Sequence, residues 1–157
     1  MSRIVEIRTV LNNLIQTVLA GSVPPYAKLS DSYETPDNAG IVLEKGYSVG
    51  FGPAERATDE FCMEVIRIRR QFQIILTNVY TPTLDPDFRE SLENALLDDA
   101  FKIQAALERN RDLTGDNTNS FWSFDNGLEY IIDDRKQYIL IVLTVSVDYF
   151  ESTVPTP

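Results

Sequence analysis

The residues of this chain with types and spacing suited to chemistry are two acidic pairs, one basic strip and one aromatic loop. Asp98-Asp99 and Asp133-Asp134 are adjacent carboxylates. Paired carboxylates can hold Mg²⁺ or exchange protons with a substrate. Adjacent residues on a helix or turn diverge in direction, however, so a solvated helix face is the simpler account of Asp98 and Asp99. Asp37 with Glu44-Lys45 is the nearest approach to a nuclease arrangement, but the acid-x-Lys strand triplet is missing. Gly46, Gly50 and Gly52 match neither G-x-G-x-x-G nor the P-loop, and no helix signal follows them. They read as turn and bulge glycines. Arg67, Arg69 and Arg70 form the only dense basic cluster. It suits a contact with an acidic neighbouring subunit or with DNA, or a solvated strand face. Against the chain's excess acid, pairing within the molecule or between subunits is favoured. Phe121, Trp122 and Phe124 lie among Asn, Asp, Ser and Thr. They read either as a small cluster covering a sheet edge or as an aromatic anchor for a protein partner. The acid–base run Asp133-Asp134-Arg135-Lys136 reads as a turn facing a partner or a lumen.

Composition narrows the chemistry further. The 157 residues include no histidine and one cysteine, Cys62. That excludes a histidine base or ligand, an intrachain disulfide and a multi-cysteine zinc site. No motif asks for a cofactor or a metal. Lys and Arg number 14 against 24 Asp and Glu, a net charge of −10, which argues against a DNA-binding surface over most of the molecule. With 43% hydrophobic residues the chain can bury one core. The expectation is one domain over residues 1–151 and an extended tail over 152–157. Charges at Arg3, Glu6 and Arg8 interrupt any signal-peptide core, and no apolar run reaches the ~18–20 residues of a membrane helix. The expected compartment is a cytoplasm, with Cys62 a reduced core thiol.

The positioning elements follow from periodicity. Ile4, Ile7, Leu11, Leu14, Ile15, Val18 and Leu19 predict an amphipathic helix over 3–20, with Ser2 as its cap and Gly21 in the left-handed position after it. Residues 21–40 are turn-rich, with a short strand around Tyr26–Leu29. Ile41–Leu43 and Tyr47–Phe51 predict short strands around Glu44-Lys45-Gly46, the second ended by Gly50, Gly52 and Pro53. Residues 60–80 predict one long strand with a bulge near Val65-Ile66. Its polar face carries Arg67, Arg69, Gln71 and Gln73. Asp85-Pro86-Asp87 opens a helix over 86–109, with Phe88, Leu92, Ala95, Leu96, Ala100, Ile103 and Leu107 as its stripe. Residues 110–127 read as a loop. Leu128–Ile132 and Gln137–Glu151 predict a hairpin whose second arm spans about 45 Å at ~3.3 Å per residue. The order α-β-β-β-α-β-β predicts an α+β fold: a single, mostly antiparallel sheet with two α-helices packed on one face.

This arrangement resembles the tail-terminator and neck (head-to-tail completion) proteins of long-tailed bacteriophages. The resemblance is carried by the N-terminal helix, Lys45-Gly46-Tyr47-Ser48-Val49, the strand Arg69-Arg70-Gln71-Phe72-Gln73-Ile74-Ile75-Leu76-Thr77, the helix from Asp87 and the strand Ile139–Phe150. It covers nearly the whole chain as a pattern of elements, with no short motif. It implies a non-enzymatic virion subunit, assembled in the host cytoplasm into a hexameric ring. Such a ring caps the tail tube and joins it to the head-side connector or stopper, and DNA passes through it without specific binding. Six copies would carry a charge of about −60, which suits an acidic passage. Other phage assembly parts (a stopper, tail-tube or baseplate subunit) are open on the same features. So is a carboxylate and Mg²⁺-dependent enzyme using Asp98, Asp99, Asp133 and Asp134.

Overall fold

The computed structural model describes residues 3–29, 45–56, 65–79, 86–115, 119–122, 128–133 and 138–152. The elements run α1 (Arg3–Val18), β1 (Tyr26–Lys28), β2 (Lys45–Arg56), β3 (Val65–Val79), α2 (Pro86–Arg109), β4 (Asn119–Trp122), β5 (Leu128–Asp133) and β6 (Tyr138–Ser152). This is the α+β arrangement that the periodicity predicts, with one strand more. β4 forms inside the segment expected to be loop. The predicted strand Ile41–Leu43, the caps Ser2 and Asp85, Cys62 and the tail beyond Ser152 lie outside the described residues.

Each helix forms where apolar residues recur at spacings of three and four. In α1, Ile7, Leu11 and Ile15 are buried, and Leu19 continues the stripe into the turn that follows. The helix ends without a left-handed glycine at Gly21. Leu19 N donates to Ile15 O at 2.9 Å and Ser22 N to Leu19 O at 3.0 Å, which closes the last turn. Among the described glycines, the positive φ belongs to Gly115, at 78°. In α2, Leu96, Ala100, Ile103 and Leu107 are buried. Phe88 and Ala95, predicted for the same stripe, are exposed. At ~100° per residue both fall some 80–100° to one side of Leu96. Leu97 and Phe101 fall on the opposite flank and are exposed as well.

The sheet runs β1-β2-β3-β6-β4, and β5 also pairs with β6. β1 lies parallel to β2, and every other pairing is antiparallel. The centre is the β3–β6 ladder, unbroken from Val65↔Ser152 to Val79↔Tyr138. The bulge expected at Val65-Ile66 is absent there. The register shift lies on β2 instead, between Phe51 and Ala54, where Gly52 and Pro53 share the space opposite Gln71. Proline cannot donate to a ladder, and glycine tolerates close approach: a Cβ on Gly52 would stand 3.0 Å from the Gln71 Cβ. β2 therefore continues past the residues expected to end it. Gly46 is likewise no turn residue. It lies within β2, where an added Cβ would stand 2.9 Å from Leu29 Cδ1.

Both helices cover one face of the sheet. Ile139, Ile141, Leu143, Val145, Val147 and Tyr149 of β6 meet Phe72, Ile74 and Leu76 of β3 and the buried stripes of α1 and α2. The opposite face presents Arg67, Arg69, Gln71 and Gln73 of β3 beside Thr144, Ser146 and Asp148 of β6.

Candidate functional site

Two charged constellations stand out, one on each face of the sheet. On the face away from the helices, Asp148 is buried on β6, and register places it directly opposite Arg69 and diagonal to Arg67. Arg69 Nε donates to Asp148 Oδ1 at 2.8 Å and its Nη2 to Oδ2 at 3.2 Å, while Arg67 Nη2 donates to Oδ2 at 2.8 Å. The fork raises the pKa of Arg69 through the hydrogen bond and charge of Asp148, with a further contribution from Glu55 across the β2–β3 ladder. A row Glu55–Arg69–Asp148–Asn119 thus crosses four strands in register. Both guanidiniums keep over a third of their side chains in water. Asp148→Asn is expected to cost about 1–2 kcal/mol in urea denaturation, because the freed arginines can rehydrate. A loss above ~4 kcal/mol would show them to be trapped.

Arg70 does not belong to this strip. Strand alternation sends it to the helix side with Ile68 and Phe72, and its buried Nε has no hydrogen-bond partner. Three basic residues close in sequence become two plus one.

On the helix side, α2 brings Asp99 against the β1–β2 edge. Its Oδ1 accepts from Lys102 Nζ at 2.7 Å, and its Oδ2 accepts from Tyr26 Oη at 3.0 Å and Ser22 Oγ at 3.5 Å. Lys45 Nζ lies 3.8 Å from Oδ2 and 5.2 Å from the Tyr26 ring centroid. Asp99, with 4% exposure, and Lys45, with 7%, are both buried, whereas Lys102 is largely in water. Burial raises the Tyr26 pKa far above its usual value, helped by the charge and hydrogen bond of Asp99. The phenol therefore stays protonated as a donor. Asp98, the other half of the expected acidic pair, is exposed. One residue, about 100° of helix rotation, separates their fates: Asp99 sits beside Ala100 in the buried stripe, and Asp98 does not.

Asp98 and Asp99, weighed together as Mg²⁺ ligands, are thus not brought to one site. Asp99 is committed to two ammonium groups and a phenol. Asp133 ends β5 opposite Tyr138 instead of standing in the hairpin turn. Asp134, Arg135, Lys136 and Phe124 lie outside the described residues. Among the described residues no group of three or more His, Cys, Asp and Glu is placed to hold a metal. Phe121 and Trp122 belong to β4, opposite Ser146 and Val145 of β6, so they extend the sheet where a loop was expected.

No known family model and no curated protein matches this chain.

The chemistry of the two constellations is that of fixed charge. Each sets a carboxylate among cations and orients neighbouring elements. Asp99 ties α2 to the β1–β2 edge, and Asp148 ties β6 to β3. The expected solvated helix face holds for Asp98 and fails for Asp99, whose phase with Ala100 and Ile103 carries it into the core. Tyr26 and Lys45 carried no such signal of phase, because Tyr26 belongs to a three-residue strand in a turn-rich stretch and Lys45 reads, with Glu44 and Gly46, as the turn between two short strands. No described helix is long and apolar enough to cross a membrane.

Proposed function

We propose that this chain is a structural, non-enzymatic subunit of a long-tailed phage virion, a tail-terminator or neck protein. It assembles into a ring, hexameric by the resemblance, that caps the tail tube and joins it to the head-side connector or stopper. One observation carries the reading: a single sheet whose helices occupy one face, leaving the other face of its two longest strands, β3 and β6, with a fixed row of paired charges. Long strands that carry a fixed row of charge on the face away from the helices suit head-to-tail packing between identical subunits, where one surface of a copy meets a different surface of the next. The net charge of −10 per copy supports an acidic passage that DNA traverses without being held. In this role the carboxylates serve position and assembly rather than turnover.

Native mass spectrometry and negative-stain imaging test the proposal. A closed ring is expected, alone or on addition of tail tubes. A protein that remains strictly monomeric under both conditions would overturn it. Trp122→Ala is expected to impair ring formation or tube attachment while leaving the thermal midpoint of the monomer within about 2 °C, a shift below ~1 kcal/mol. Unfolding of the mutant monomer would instead assign Trp122 to the core.

A further inference from the structure

At the outer edge of β2 lies a cleft of about 460 Å³ with α1 as one wall and the end of β1 as the other. Arg8 and Asn12 reach it from α1, Lys28 from β1, and Ser48 and Val49 form its floor. β1 pairs with β2 only at Lys45–Tyr47, and Leu29 N donates to Tyr47 O at 2.8 Å. That bond sets the outward phase of the edge. The amide groups of Tyr47 face β1, so by strand alternation those of Val49 and Phe51 also face outward, where no described residue pairs with them.

The side chains around the edge are unsatisfied in a consistent way. Arg8 lies 4.7 Å over the Phe51 ring, which holds its guanidinium in place. Among the described residues, neither Arg8 nor Lys28 has an ion-pair partner, and no residue lining the cleft is acidic. In a chain of net charge −10, two cations without an ion pair beside a strand edge that no described residue pairs are conspicuous. Asn12, with 8% exposure, donates its Nδ2 to Arg8 O at 2.9 Å, but its buried Oδ1 accepts nothing. The cleft therefore offers backbone donors and acceptors along one strand, an idle carbonyl acceptor and two cations.

We propose that this edge is a docking site for an extended acidic peptide segment of a partner protein, added as a strand alongside β2. Its backbone pairs with Val49 and Phe51, and its carboxylates face Arg8 and Lys28. Strand addition supplies affinity through main-chain hydrogen bonds, and charge supplies selection. The site rests on the edge and its cations and is independent of the virion reading.

An alternating Glu-Val peptide is the probe, with an alternating Lys-Val peptide as control. Hydrogen exchange read by NMR follows the Val49 and Phe51 amides. In the free protein these amides are expected to exchange rapidly, and saturating Glu-Val peptide is expected to slow them ~10-fold or more. The control peptide leaves them unchanged. Arg8→Glu with Lys28→Glu is expected to weaken binding ~10-fold or more, with the thermal midpoint lowered by no more than about 4 °C through loss of the Arg8 contact with Phe51. Three results would overturn the proposal. One is protection of Val49 and Phe51 already present in the free protein, which would mean that the chain or a second copy fills the edge. Another is binding without protection at those amides. The third is equal binding of both peptides.

Discussion

Asp99→Ala is expected to lower stability by ~3–5 kcal/mol, the cost of leaving a buried ion without its partner. The stranded group is Lys45. Its side chain is almost as enclosed as that of Asp99, and no other carboxylate among the described residues forms an ion pair with it. Lys102 contributes little to the loss, because 58% of its side chain is exposed and water can take the place of the carboxylate. Tyr26 loses the acceptor of its phenol hydrogen bond as well. At ~2–4 °C per kcal/mol for a chain of this size, the thermal midpoint should fall by about 10 °C. Asp99→Ala combined with Lys45→Met separates the causes. An apolar side chain of similar length needs no counter-ion, so the double variant is expected to recover much of the loss. A drop of less than ~1 kcal/mol in the single variant would mean that water reaches Lys45, and the view of Asp99 as the tie between α2 and the β1–β2 edge would fail.

The second large effect belongs to Phe72. It is fully buried at the centre of β3, opposite Phe51 on β2 and Val145 on β6, and its ring lies 5.7 Å from that of Phe51 at a tilt of 56°. Phe72→Ala removes the largest fully buried side chain among the described residues from a layer braced on both flanks by long ladders. Such a site collapses poorly, so the cavity persists and the loss is expected to be ~3–5 kcal/mol. Urea denaturation measures it. A loss below ~1.5 kcal/mol would show that α1 and α2 relax into the space. A secondary effect follows at the surface: Phe51, already 44% exposed, loses the ring behind it, and the Arg8 guanidinium above it loses a fixed platform.

Much of this fold was legible in the residues because period and composition act locally. The apolar spacing in 3–20 and 86–109 marks α1 and α2, and the alternation in Gln137–Glu151 marks β6. Each such pattern has one way to bury its apolar face. The errors share a different cause. Gly46, Gly50, Gly52 and Pro53 resemble punctuation, yet β2 runs through all of them because β3 supplies a partner along its length. The bulge expected near Val65-Ile66 reflects a change in hydrophobic phase, but the unbroken pairing with β6 holds β3 regular. β4 was invisible for a similar reason. Asn119–Trp122 reads as loop until β6 offers Val145–Asp148 beside it.

The charged groups follow the same division. Residue types alone singled out Arg67, Arg69 and Arg70, and strand alternation alone separates Arg70 from the other two. That Asp148 is their counter-charge depends on a register between residues some 80 positions apart, which no local pattern encodes. The same holds for Asp99, Lys45 and Tyr26, drawn from a helix and two strands into one buried cluster. The class of fold, the two helices, the long strands, the excess of acid and the lack of histidine follow from the residues alone, since composition and period need no partner. Which charges are buried, which are paired and which strand edge no described residue covers were settled by the tertiary structure, since each of these depends on what lies across a ladder or beneath a helix.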